Sequence, residues 1–197
     1  MLRKYSFLGK IHLIVSIIYT KIFYPKARLI RLPFDIRNSK FIQIGKGFTS
    51  GRNCRIESFP EDMNQKTPNL IIGNNVQIND YVHISARQNV IIGDNSLLAS
   101  KIFISDLSHG SYDLLNSDSP ETIPSERALH SKEIIIGKNV WIGESVCVLS
   151  GVTIGDGSII GALSVVSKSI PSNSIAVGSP AIVIKKFNFK ENIWERV

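Results

Sequence analysis

The sequence predicts an all-β solenoid: a parallel coil of about five triangular turns with one protruding loop and a short N-terminal helical segment. Three observations predict it. Aliphatic residues recur with a period of six, a small or turn-forming residue follows most of them, and the first 34 residues differ in character from the rest.

The period is read from pairs. Ile72-Gly73, Ile78-Asn79 and Ile84-Ser85 are six apart, as are Ile92-Gly93, Leu98-Ala99 and Ile104-Ser105. The longest run is Ile136-Gly137, Ile142-Gly143, Val148-Leu149, Ile154-Gly155, Ile160-Gly161 and Val166-Ser167, and a weaker set is Ile44-Gly45, Ser50-Gly51 and Ile56-Glu57. A helix would bury positions three and four apart, and each internal glycine would cost it about 1 kcal/mol against alanine. An ordinary strand would alternate with period two for longer before turning. Six-residue units with one inward aliphatic fit the flat walls of a three-sided coil, bent at corners by Gly, Asn, Asp or Ser. Each turn then pairs with those above and below, so only the two ends leave backbone groups unpaired.

Interruptions of the period mark loops. Sixteen residues separate Ile56 from Ile72, including Pro60 and Pro68, and a two-residue insertion lies between Ile84 and Ile92. From Ile104 to Ile136 there are 32 residues, so a large loop, roughly 107–132, leaves the coil. A loop of that length is expected to be functional or disordered.

The net charge of +7 is all in one place. Arg3, Lys4, Lys10, Lys21, Lys26, Arg28 and Arg31 precede the first acid, Asp35, so the remaining 163 residues sum to zero. A basic end is not a nucleic-acid footprint, and no nucleic-acid partner is expected. The same end is apolar, reading IHLIVSIIYTKIFY from Ile11 to Tyr24. That is short of the roughly 20 apolar residues that span a bilayer, and no small-residue cleavage site follows. Two readings stay open for it: a basic amphipathic helix on an anionic membrane surface, or a helix packed on the domain. The two cysteines, Cys54 and Cys147, suggest neither a disulfide framework nor a nucleophile paired with histidine, and a reducing compartment is the simpler reading.

The hexads, the segment IIGKNVWIGESVCVLSGVTIGDGSIIGALSVVSKSIP and the ending AVGSPAIVIKKF resemble the hexapeptide-repeat acyltransferases. Within that family the chain is similar to the galactoside, maltose and xenobiotic acetyltransferase branch, and most to the O-acetyltransferases of bacterial lipopolysaccharide and capsule biosynthesis. The resemblance covers about residues 41–187. It leaves 1–40 as a basic amphipathic segment and 188–197 as a tail. It implies a left-handed parallel β-helix, since periodicity alone carries no handedness. It also implies acetyl-coenzyme A as donor, a sugar hydroxyl as acceptor, a homotrimer with sites between subunits, and a bacterial cytoplasmic location, at the inner membrane face if residues 1–31 touch lipid. Acetyltransferases of a small free acceptor and a non-enzymatic scaffold are the alternatives.

Site residues follow from the same resemblance. An alcohol needs a base to attack a thioester, and histidine titrates in the right range. The family places its histidine 16 residues after the glycine of the IGDN coil; from Gly93 that is His109, at the start of the long loop. His12 reads as structural, His83 as facing outward from a wall, and His130 as lying near the loop's end. Asn79 matches the family's acceptor-contacting asparagine, although asparagine is also a good corner residue. Trp141, in VWIG, faces out of its wall and suits an acceptor sugar, the pantetheine arm or a subunit contact. Gly143, Gly161 and Ala162 match the positions where the family's backbone meets pantetheine. Ser167, Lys168, Ser179, Pro180 and Lys185 match contacts nearer the nucleotide. Many relatives carry a basic residue two places after the GxP proline; here it is Ile182, which leaves phosphate recognition to Lys185 and its neighbour Lys186. A zinc site of the kind found in carbonic anhydrases on this fold needs three converging histidines, two of them close together, and His109 has no such neighbour, so no metal is expected.

Overall fold

The computed structural model describes residues 6–197. Its strands form three walls. The first wall has nine strands, the second six and the third five, and pairing is parallel except at the last two strands of the first wall. Ile36, Ile56, Ile84, Ile104, Val148 and Val166 are register partners up the second wall, and Ile44, Ile72, Ile92, Ile136 and Ile154 up the third. From Ile56 and Ile72 onward these side chains are fully buried, which is the continuous core the period of six requires.

The corners behave as the small and polar residues predict. Asn75, Asn95 and Asn139 adopt φ of 55°, 60° and 56°, a left-handed conformation that asparagine tolerates. Beside them the coils approach closely: a Cβ on Gly93 would lie 2.6 Å from Gly137 O. Asp94 accepts from Asn74 N–H at 2.7 Å and Asp156 from Lys138 N–H at 2.8 Å, so carboxylates tie each corner to the coil before it.

The coil starts earlier than the repeat reading places it. Leu29–Ile30 pairs with Thr49–Ser50, and Phe34–Arg37 with Cys54–Ser58, so a further turn lies within the 1–40 segment. Its inward residues Ile30 and Ile36 are six apart, but Arg31 and Arg37 follow them instead of small residues, which hides the repeat. The far end also continues. Ser174–Val177 extends the first wall, then Ile182–Asn188 and Ile193–Arg196 add to it antiparallel, so the 188–197 tail turns back and pairs through Ile193–Arg196.

Helix α1, Phe7–Phe23, covers the first turn. Arg3 and Lys4 of the basic segment lie outside the described residues. The helix docks through a narrow stripe, Leu13, Ser16 and Thr20. Thr20 Oγ1 accepts from Ile30 N–H at 2.8 Å, and Ser16 Oγ accepts from Leu32 N–H at 3.1 Å, so hydroxyls satisfy an otherwise open sheet edge. The packed reading therefore holds for this stripe. The other faces are apolar and exposed: Phe7, Leu8, Ile11, Ile14, Val15, Ile17, Ile18, Ile22 and Phe23. None of the described helices is long and apolar enough to cross a membrane.

Candidate active site

The long loop is pinned where it leaves the second wall. Asp106 is fully buried, and its carboxylate accepts from the N–H groups of Arg87, Gln88 and Asn89 at 2.7, 2.7 and 2.8 Å. Its backbone oxygen accepts from Lys132 N–H at 3.0 Å, which brings the loop's return strand to its exit. Burial pushes the Asp106 carboxyl up, against the pull of those three donors. The three donors lie between Ile84 and Ile92, the step lengthened by the two-residue insertion, so the two irregularities of the repeat hold each other.

His109 ends the strand Leu107–His109, which pairs antiparallel with Leu129–Ser131. The residue is exposed, and its imidazole makes no hydrogen bond among the described residues. Its backbone is held instead. Tyr112 Oη donates to His109 O at 2.6 Å and accepts from Arg127 at 2.9 Å, while Arg127 also donates to Thr122 O at 2.8 Å. Gly110 follows at φ +95°, and a Cβ there would meet Asp118 Oδ2 at 3.0 Å and the Arg127 side chain at 3.1 Å. Gly110→Ala therefore strains the backbone next to His109 and pushes on the arginine that fixes it. Turnover is expected to fall about tenfold with an unchanged far-UV circular dichroism spectrum; unchanged turnover would show that this hold is not needed.

His109 borders a cleft of about 440 Å³ with Leu107, Leu129, Phe59, Phe103, Glu57, His83, Ser85 and Ser105. Glu57 is only 5% exposed although it points away from the coil interior. Its carboxylate accepts from His83 Nε2 at 2.8 Å and from Arg37 at 3.3 Å, and lies 3.5 Å from Arg55. The His83 ring meets Phe103 edge-on at 5.3 Å from the coil above, and Arg55 approaches it from the coil below at 2.9 Å. The sequence reading missed Glu57, His83 and Ser85 as site residues. The signal was Glu57 itself, an acid in the place a small residue usually takes.

The other expected residues are placed elsewhere. Asn79 lies in a separate groove of about 630 Å³ between α1 and the first wall, with Gln77, Asp80, Arg31 and Arg52. Its side-chain oxygen accepts from Gln77 at 3.3 Å. Asn79 and His109 thus line different clefts of one chain. Trp141 is 51% exposed on the outer face of the first wall, between Leu97 and Ile159. Register continues from Ile159 to Ile175, from Ile175 to Lys185 and from Lys185 to Arg196. Trp141, Lys185 and Arg196 therefore share one face, and Arg196 is a second cation the sequence reading did not include. Lys186 is on the opposite face, beside Glu195. Ser167 and Lys168 are exposed at the corner after Val165–Val166, and Ser179-Pro180 is exposed in the turn before Ile182–Asn188. Gly143 and Gly161 have a packing reason to be small: a Cβ on Gly143 would meet Ala162 Cα at 2.9 Å, and one on Gly161 would meet Val177 Cγ1 at 2.7 Å. Burial pushes the Cys54 thiol up to about 11, away from nucleophilic use.

A three-walled parallel coil that throws out one loop with a histidine at its base is the build of an acyltransferase made from hexapeptide repeats. Residues 133–168 match the family described as bacterial transferase hexapeptide (six repeats). The chain is 42% identical over 197 residues, 98% of this chain and 96% of the relative, to Escherichia coli K12 WbbJ, whose name assigns it provisionally as a lipopolysaccharide biosynthesis O-acetyl transferase. A single-site variant of AntD, an N-acyltransferase from Bacillus cereus in complex with dTDP-4-amino-4,6-dideoxyglucose and coenzyme A, shares the fold at TM-score 0.67 and 22% identity, over 84% of each chain. The acetyltransferase domain of PglB from Neisseria gonorrhoeae shares it at TM-score 0.56 and 16% identity, over 86% of this chain and 63% of that one. The chain belongs to the hexapeptide-repeat acyltransferase family, and its coil is the left-handed parallel β-helix of that family.

Proposed function

We propose that this protein transfers acetyl from acetyl-coenzyme A to a sugar hydroxyl in bacterial surface-polysaccharide biosynthesis. The observation that carries the reading is His109, an unencumbered imidazole fixed through its backbone at the rim of a cleft. The near full-length likeness to WbbJ supports the reaction and the substrate class, and the coenzyme A and sugar nucleotide held by AntD are of the matching chemical kinds. His109 takes the proton of the acceptor hydroxyl. The oxygen attacks the thioester carbonyl, the tetrahedral oxyanion collapses with cleavage of the C–S bond, and the thiolate leaves with the proton from the imidazolium. Holding both substrates together supplies orientation, and no acyl-enzyme is needed.

The donor lies along the strip from Gly143, Gly161 and Ala162 through Ser167 and Lys168 to Ser179, Pro180 and Lys185, with Lys185 as a point charge for phosphate. A homotrimer brings Asn79 and Trp141 of one subunit to His109 of the next, which supports shared sites because one chain keeps them apart. Release of thiol from acetyl-coenzyme A across a panel of glycans tests the reaction. Acceptor-dependent release on a surface glycan supports the reading; release only with free sugars or antibiotics replaces its substrate; coenzyme A that does not bind returns the coil to a scaffold.

The protein works at the cytoplasmic face of the inner membrane. Nine large apolar side chains stand exposed on a 17-residue helix that has no acid in its first turn and has Lys21 in its last. An apolar face with flanking cations suits an anionic bilayer. Co-sedimentation with vesicles containing anionic lipid is expected for the intact chain and lost in the triple variant Ile14→Ser, Ile18→Ser, Ile22→Ser. A protein that stays in the supernatant overturns this location.

A further inference from the structure

We propose that the outer face of the second wall is the acceptor subsite, and that it holds a pyranose ring against Phe103 and Phe59 with Glu57, His83 and Ser85 on its hydroxyls. This rests on the transferase reading above and names where its acceptor sits.

Glu57 has no part in the interior, because Ile56 beside it fills the core position. The carboxylate is nevertheless sequestered and drawn into a row of register partners, Arg37, Glu57, Ser85 and Ser105, that runs up the wall toward the loop. Ser85 and Ser105 are both buried, and Ser85 Oγ makes no hydrogen bond among the described residues. The carboxylate takes one hydrogen bond at 2.8 Å and a longer one at 3.3 Å, with Arg55 Nε at 3.5 Å from Oε1, which still leaves one of its roughly four lone-pair sites for a ligand hydroxyl.

Apolar surface frames the row. Phe59 and Phe103 are 39% and 37% exposed in a cleft that also holds His83. Flat aromatic surface beside a few convergent polar groups is the composition of a small-molecule site, and the volume of about 440 Å³ lies in the range of such sites. A pyranose has the matching character: an apolar face of ring C–H groups and an edge of hydroxyls that both donate and accept. Glu57 is the acceptor of a hydroxyl proton, His83 is fixed by Glu57 and turned edge-on to Phe103, and Ser85 supplies a free hydroxyl. Ser105 closes the row two residues before Leu107, the first residue of the strand that carries His109. A ring seated on the row therefore presents a hydroxyl to the imidazole from the same cleft.

The test is steady-state kinetics of Glu57→Gln and Ser85→Ala against wild type, with the glycan that gives the fastest acetyl transfer. Glu57→Gln keeps the shape and loses the charge; Ser85→Ala removes a hydroxyl that makes no hydrogen bond among the described residues. The acceptor KM is expected to rise at least tenfold for the first and severalfold for the second, with the KM for acetyl-coenzyme A within twofold and the melting temperature of Ser85→Ala unchanged. An unchanged acceptor KM in both variants overturns the subsite while wild-type turnover leaves the transferase reading standing. Equal rises in both KM values overturn it in favour of a structural role. A wild type that acetylates no glycan fails the transferase reading itself, and the subsite with it.

Discussion

His109→Ala is expected to lower kcat about 10²–10⁴-fold, the usual cost of losing a general base, with both KM values little changed. The structure makes this a clean substitution. The imidazole is exposed, and the bond that fixes the residue, Tyr112 Oη to His109 O at 2.6 Å, uses the backbone and survives the change. Folding should therefore be unaffected, and a thermal melt alongside the assay checks it. A loss in kcat with constant KM means that the interaction is made on the way to the transition state and not in the ground state. Activity within a few-fold of wild type overturns the assignment. The same cleft then offers a second histidine: if His109→Ala is active and His83→Ala is not, proton transfer belongs to the Glu57–His83 pair at 2.8 Å.

Most of the fold can be read from the sequence because the coil repeats one physical unit. Each hexad states the same requirement, an inward aliphatic and a corner residue that bends, and a dozen statements in phase outweigh any local ambiguity. Ile142 and Trp141 illustrate it: the period puts one inside and one outside, and register pairs both with the coils on either side. The first turn escaped because arginines follow Ile30 and Ile36, so the pair that marks a corner is missing while the spacing is intact. The strands after Ser179 escaped for a different reason: they run antiparallel and carry no hexad.

The candidate site was legible only where it lies on the chain's own irregularities. His109 stands at the start of the longest gap in the repeat, and a family resemblance with a fixed spacing reaches it. Glu57, His83 and Ser85 belong to two different coils, 26 and 28 residues apart at Glu57–His83 and Glu57–Ser85, and only stacking makes them neighbours. Asn79 shows the converse. Spacing selects it, yet in one chain it faces α1 and not the loop. Sequence spacing fixes a height on the coil and a wall; it does not say which cleft completes the site.

Asp106→Ala is expected to destabilise the protein by about 2–4 kcal/mol, because it removes the charged acceptor of three backbone N–H groups at once. For a chain of this size that is a fall in melting temperature of roughly 5–10 °C. The three donors, Arg87, Gln88 and Asn89, lie in the lengthened step between Ile84 and Ile92, and no other side-chain acceptor serves them among the described residues. Asp106→Asn separates the parts of the effect. It keeps one carbonyl oxygen for a donor and drops the charge, so it should fall between wild type and alanine. The effect should reach catalysis as well: Asp106 O holds Lys132 N–H at 3.0 Å where the loop returns, so loosening this point lets the strand bearing His109 shift against the wall that bears Glu57. Turnover measured well below the melting temperature should therefore drop further than the folded fraction does. If turnover only follows the folded fraction, Asp106 stabilises the coil without positioning the base, and the hold on His109 resides in Tyr112, Arg127 and Gly110 alone.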